Sequence, residues 1–270
     1  MDLLRQITRV PFVLGLWSRF PVGSVKTRVH YGILPYPHYA YGVYWSAVLA
    51  SRLGIPRISV IEFGVAGGRG LVALEQASIE IERELGVGID VVGFDSGEGM
   101  PPPVDYRDLP HVWDAGFYKM DVGKLRARLQ RAQLVLGDVA ETTREWLQAN
   151  ERAPIGFVSF DLDYYSSTKA AFELLEGHEG TRLPRVHCYF DDIVSNALSC
   201  LNEHVGELLA IREFNDAHEQ RKICKIEGLR MHRPRFELWH DQMYALHDFC
   251  HPKYTTLVTP TSDAERQLHL

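Results

Sequence analysis

Five short apolar runs punctuate the chain without polar alternation: Ile58–Phe63, Ile89–Phe94, Leu134–Leu136, Ile155–Phe160 and Val186–Phe190. Runs rich in Val, Ile and Phe, with no polar side, suit strands buried on both faces of a parallel sheet. Helical spacing separates them. Leu71, Leu74, Ala77 and Ile81 share one face, and Leu125, Leu129 and Ala132 share another. Strand–helix alternation of this kind predicts an α/β fold with a doubly wound, mostly parallel sheet. Further helices are expected over Ser166–Leu175 and around Leu198–Ile211. Lys222–Gly228 and Gln242–Leu246 are expected to finish the sheet as an antiparallel hairpin.

Composition narrows the class. The 270 residues are 46% hydrophobic and 24% charged, ordinary globular material. A net charge of −6 provides no basic excess to neutralise phosphates, so a nucleic-acid partner is not expected. No apolar stretch approaches the ~20 residues of a membrane span. Met1 to Val22 mixes Arg5, Arg9 and Arg19 with the apolar run Val10–Trp17. No small-residue cleavage site follows, which favours an amphipathic segment packed on the domain over a signal peptide. The cysteines (Cys188, Cys200, Cys224 and Cys250) show no CxxC spacing and read as reduced thiols of a cytoplasmic protein. The expected organisation is a helical cap over residues 1–57 and one compact unit over 58–270. The long loop opened by Met100-Pro-Pro-Pro103 and running to about Asp121 is expected to be functional or mobile.

Chemistry gathers at the strand ends. The first strand closes Glu62-Phe-Gly64-Val-Ala-Gly67-Gly68-Arg-Gly70 and runs into a helix. Glycines at such a turn admit a ligand to the backbone, and the helix start supplies free N–H groups. The dinucleotide pattern G-x-G-x-x-G does not fit, which disfavours an oxidoreductase. The second strand ends Gly93-Phe-Asp95-Ser96, an acid placed for the hydroxyls of a ribose. The third ends Leu136-Gly137-Asp138, a small turn able to lie against a planar base. The alternative is that these acids only cap the helices that follow them.

These residues resemble the class I S-adenosylmethionine-dependent methyltransferases, and within them the macrocin O-methyltransferase family. The resemblance runs through Glu62-x-Gly64-Val65-x-x-Gly68, Gly93-Phe-Asp95-Ser96 with Gly99-Met-Pro101, and Trp113-x-x-Gly116-Phe117. It continues in Asp161-x-Asp163-x-Tyr165-x-Ser167-Thr168 and Asp191-Asp192, covering roughly Ser59 to Asp192. It implies a Rossmann-like methyltransferase sheet and a metal-dependent enzyme that methylates sugar hydroxyls of natural products. By that resemblance Glu62, Gly64, Val65 and Gly68 hold the methionine end of the cofactor. Asp95 binds the ribose, Ser96 and Asp138 flank the adenine beside Gly137, and Asp161 contacts the cofactor as well as a metal. Asp163 matches the general base.

The four acids fit the same chemistry. Asp161 and the Asp191-Asp192 pair end two strands that are neighbours in such a sheet, where they raise one another's pKa unless a cation lies between them. Oxygen-only donors favour Mg²⁺, with Ca²⁺ or Mn²⁺ as alternatives. A hydroxyl held there becomes more acidic, and Asp163 is placed to take its proton. Catechol-type enzymes usually carry a lysine where this chain has Tyr164. The competing reading makes Asp161 and Asp163 caps of the Ser166–Leu175 helix. The aromatic run Tyr36, His38, Tyr39, Tyr41, Tyr44 and Trp45 reads as packing. His187 reads as a core or sheet-face residue, and Arg182, Arg185, Arg221 and Lys222 as solvated surface.

The expectation is therefore a metal-dependent O-methyltransferase acting on a hydroxyl of a small molecule. Metal-independent N- or C-methylation and a non-catalytic nucleotide-binding module are the alternatives. Expected partners are a hydroxylated small molecule and, at most, a second copy of the chain, with no membrane.

Overall fold

The computed structural model describes residues 11–148, 152–178 and 180–259. Its seven strands are β1 (Arg57–Phe63), β2 (Gly88–Asp95), β3 (Gln133–Leu136), β4 (Ile155–Phe160), β5 (Arg182–Phe190), β6 (Arg221–Lys225) and β7 (Met243–Asp248). They form one sheet in the order β3-β2-β1-β4-β5-β7-β6. The first five are parallel, and β7 runs antiparallel to both β5 and β6, so the expected hairpin closes the sheet. Strand order reverses between β1 and β4, and open α/β sheets bind ligands at the carboxyl edge of such a switch.

Four of the apolar runs form central strands because both faces are covered, β4 being buried at all six positions, while Leu134–Leu136 forms the half-buried edge strand β3. On one face pack α3 (Pro37–Arg52) and α4 (Arg69–Leu85), through Val43, Ala47, Leu71 and Leu74. On the other lie α6 (Val139–Gln148), α7 (Tyr165–Ala171), α8 (Glu173–Glu176) and α9 (Gly206–Ala217), contributing Trp146, Ala171, Leu174 and Phe214. α5 (Val122–Arg126) precedes β3, and α1 (Pro11–Arg19) and α2 (Val25–Tyr31) precede α3. Leu14 and Trp17 of α1 pack with Tyr31 and Ile33, while Phe12, Leu16 and Phe20 are exposed. The expectation for residues 1–10 lies outside the described residues. No helix of the described residues is long and apolar enough to cross a membrane.

Three sequence readings need correction. The helix expected at Leu198–Ile211 starts only at Gly206. Before it, Asn196 Oδ1 accepts from the backbone N–H groups of Leu198 and Ser199, and Ser195 Oγ accepts from that of Leu201. Such local side-chain bonds hold the backbone in turns and compete with helix. The Ser166–Leu175 helix starts at Tyr165 and breaks at Phe172 into two short pieces. Arg182 is not solvated surface: it opens β5, 4% exposed, and pairs with buried Asp248 at 2.6 Å. His187 is a half-buried sheet-face residue, with Ser46 Oγ 3.1 Å from its Nδ1.

Candidate active site

Four strand ends share one pattern in register. Phe63, Phe94, Phe160 and Phe190 are paired neighbours across β2, β1, β4 and β5. Their rings stack in a row, with centroids 4.9 Å (Phe94–Phe63), 5.7 Å (Phe63–Phe160) and 4.9 Å (Phe160–Phe190) apart. The next residue of each strand is Asp95, Gly64, Asp161 or Asp191. The apolar row is thus the floor that fixes a polar row above it. The backbone ladder continues one step into that row. Gly64 N–H donates to Phe94 O, Asp161 N–H to Phe63 O, and Asp191 N–H to Phe160 O, at 3.0, 3.1 and 3.0 Å. Gly64 adopts φ +81°, and a Cβ there would lie 1.6 Å from the Asp161 carbonyl oxygen. Only glycine fits.

A cavity of about 690 Å³ opens above this row. Gly64, Asp95, Ser96, Gly137 and Asp138 line one end, and Asp161, Asp163, Asp191 and Asp192 the other. Asp95 is no helix cap: its Oδ2 accepts from Ala66 N–H at 2.8 Å and its Oδ1 from Gly97 N–H at 2.6 Å. Those bonds bind the first two strand-end turns together and leave each oxygen one lone pair. Asp138 does cap α6, accepting from the N–H groups of Ala140 and Glu141. Ser96 Oγ donates to Gly99 O and accepts from Glu98 N–H within its own turn.

Glu62, Val65 and Gly68 stand behind the cavity wall. Val65 packs against Gly93, and Gly68 caps α4 with Leu125 against it. Glu62 is 2% exposed; its Oε1 accepts from Tyr39 Oη at 2.8 Å, and Oε2 has no partner among the described residues. Burial pushes this carboxyl up to about 8. Tyr39, in the aromatic run read as packing, is therefore also the anchor of this acid, and it accepts in turn from Ser159 Oγ. An aromatic with a hydroxyl that must end buried was the available signal.

At the acidic end, one carboxylate oxygen each from Asp161, Asp191 and Asp192 lies within 4.8 Å of the others. Burial first, and then Asp191 and Asp192, hold the Asp161 carboxyl well above the usual range. Asp192 is raised likewise, by burial and then by Asp163. Asp163 has the left-handed φ of 57°, unusual for a residue with a side chain, and donates its N–H to Asp192 Oδ2 at 3.1 Å. Its carboxyl is pushed up to about 6, chiefly by burial.

The cap reading of Asp161 and Asp163 fails, because another acid has that task. Asp108, fully buried in the loop of residues 101–121, accepts from Ser166 N–H at 2.8 Å and from Ser166 Oγ at 2.9 Å. The loop is pinned there, and it brings Trp113 and Tyr118 to the cavity wall. Two more supports were not legible as site residues. Tyr189 Oη donates to Asp191 Oδ1 at 2.7 Å. Buried Glu207 accepts Asp192 N–H at 3.1 Å, and its Oε1 has no partner among the described residues. A lone glutamate inside the apolar stretch Gly206–Ile211 was its only sequence signal.

No protein-family model matches the chain, and no curated protein matches it. Among solved structures it is similar to the calicheamicin methyltransferase CalS11, with 22% identity, a TM-score of 0.52, and 90% of this chain and 91% of that chain covered. It is also similar to the O-methyltransferase NovP, with 13% identity, a TM-score of 0.50, and 78% and 79% covered. The chain shares their fold, the Rossmann-like methyltransferase sheet with its antiparallel end.

Proposed function

We propose that this protein is an S-adenosylmethionine-dependent O-methyltransferase that uses a divalent ion, Mg²⁺ before Ca²⁺ or Mn²⁺, on a hydroxyl of a small molecule of sugar or natural-product type. The observation that carries the proposal is the cavity itself. It places Asp95 and the glycine turn at one end and three converging carboxylates at the other. The shared fold with CalS11 and NovP supports it.

The residues suit both groups. Asp95 keeps a free lone pair on each oxygen for ribose hydroxyls, and Gly137 leaves a face open for a base, with Ser96 and Asp138 at its rim. Glu62 Oε2 is a buried polar atom without a partner among the described residues; it lies behind the glycine turn, where Gly64 lines the cavity and would meet the methionine end while Val65 and Gly68 shape the turn behind it. Asp161, Asp191 and Asp192 present only oxygen, the donor type of a hard cation. S-adenosylmethionine supplies a methyl group on a sulfonium, and the ion supplies positive charge beside the acceptor oxygen.

The chain's own residues do the rest. As the methyl group moves from sulfur to the acceptor oxygen, Asp163 would take the proton that the hydroxyl gives up. A carboxylate pushed up to about 6 is a better base near neutral pH than an ordinary one. Trp113 and Tyr118, at the cavity wall, would help to shield the reacting atoms from water once a ligand is bound. The described part of residues 1–57 would serve as the cap by covering one face of the sheet, with Tyr39 tied to Glu62.

A second reading, methylation without an ion, draws on the contact between Asp163 and Asp192, where one shared proton would relieve the repulsion. Calorimetric titration with S-adenosylhomocysteine tests the shared part of both readings. The nucleoside should bind, and Asp95→Ala should weaken it about tenfold, the value of a lost charged hydrogen bond. Unchanged affinity in that variant, or tighter binding of NAD, would contradict the assignment.

A further inference from the structure

The opposite edge of the sheet carries a second cavity, of about 730 Å³. β1 starts there at Arg57 and ends at Phe63 beside the first cavity. At ~3.3 Å per strand residue the two lie about 20 Å apart. Three guanidinium groups border this second cavity: Arg57 at the start of β1, Arg131 just before β3, and Arg152 just before β4.

Two of the three have acid partners. Arg57 Nη2 pairs with Asp90 at 2.5 Å, and Arg131 Nη2 with Glu82 at 2.8 Å. Arg152 has none. Its guanidinium lies over the Trp146 indole, 4.4 Å from the ring centroid, and no oxygen among the described residues accepts from it. Its Nε is shielded from water without an acceptor, and so is Nε1 of Trp146, a side chain 4% exposed. Asp90 is close enough to act on Arg152 but is engaged by Arg57. The Nη groups of this half-buried arginine, held flat by an indole at the cavity wall, have no acceptor among the described residues and are placed to donate to a ligand there.

We propose that this cavity binds the phosphate group of a small molecule, anchored by Arg152. The Gln133 amide and the free edges of Arg57 and Arg131 complete the donor set. Three arginines against Glu82 and Asp90 leave one net positive charge at the cavity, in a chain whose net charge is −6. The donors start from three different strand beginnings, an arrangement that surrounds a tetrahedral group. A flat carboxylate uses a single fork. The site is separate from methyl transfer and draws on none of the residues assigned to it.

The test titrates inorganic phosphate into the full chain by calorimetry at constant ionic strength, with acetate in parallel as the carboxylate arm. Phosphate should bind with a dissociation constant of about 1 mM or tighter, and more tightly than acetate. Arg152→Gln should weaken it about tenfold, and Arg152→Lys should fall between. Arg152→Met keeps an aliphatic stem over Trp146 and serves if the glutamine variant melts early. No phosphate binding up to ~20 mM, equal binding in the variants, or tighter binding of acetate overturns the proposal.

Discussion

Phe160 and Phe190 are register partners on neighbouring strands, their rings stacked 4.9 Å apart and only 9° from parallel. Because each precedes an aspartate, that stack sets the spacing of Asp161 and Asp191. The acids are held by an apolar floor as well as by their own bonds.

Removing the floor should therefore loosen the site. Phe190→Ala deletes a fully buried ring and should destabilise the fold by about 3–5 kcal/mol. Phe190→Leu, closer in volume, should cost about 1–1.5 kcal/mol and keep the fold. Chemical denaturation of the two variants checks the order. Equal losses would mean that the ring does not set the packing here.

The buried Glu62 makes stability depend on pH. Its folded value of about 8 lies above the ordinary 4.5. Its stability contribution is therefore full below 4.5 and is lost as pH rises through 8, with a slope of up to ~1.4 kcal/mol per pH unit between. Glu62→Gln keeps an acceptor for Tyr39 and removes the titration. The variant should gain on the wild type in denaturation midpoint between pH 5 and pH 8.5. A constant difference across that range would contradict the assignment.

Asp108 ties the long loop to the start of α7. Asp108→Ala removes acceptors from Ser166 and Val104 and should cost about 1–2 kcal/mol, as lost caps do. It should also speed proteolysis within residues 101–121. Unchanged cleavage would show that the loop is held by other contacts.

Much of this was legible in the chain. Non-alternating Val, Ile and Phe runs marked β1, β2, β4 and β5, because strands covered on both faces admit no polar side, and the short run at the edge strand β3 was apolar without full burial. The acids following Phe94, Phe160 and Phe190 marked the site edge. What escaped depended on distant partners. Arg182 looks solvated in sequence and is buried because Asp248, 66 residues later, neutralises it. Tyr39 and Glu207 read as packing or plain helix, and only the fold brings them under Glu62 and Asp192. Helix ends around 196–206 were misread because Ser195 and Asn196 trade helix for side-chain turns. Asp108, far from Ser166 in sequence, took the cap expected of Asp161 or Asp163.

In the proposed function, Asp161, Asp191 and Asp192 would converge to hold a divalent ion. Isothermal titration of Mg²⁺ into the protein tests it most directly, with Asp191→Asn and Asp192→Asn beside the wild type. The account predicts one ion per wild-type chain, with proton release because Asp161 and Asp192 are held above their usual range. Each variant should bind it about tenfold or more weakly. No binding to the wild type, or equal binding in all three proteins, would contradict the account.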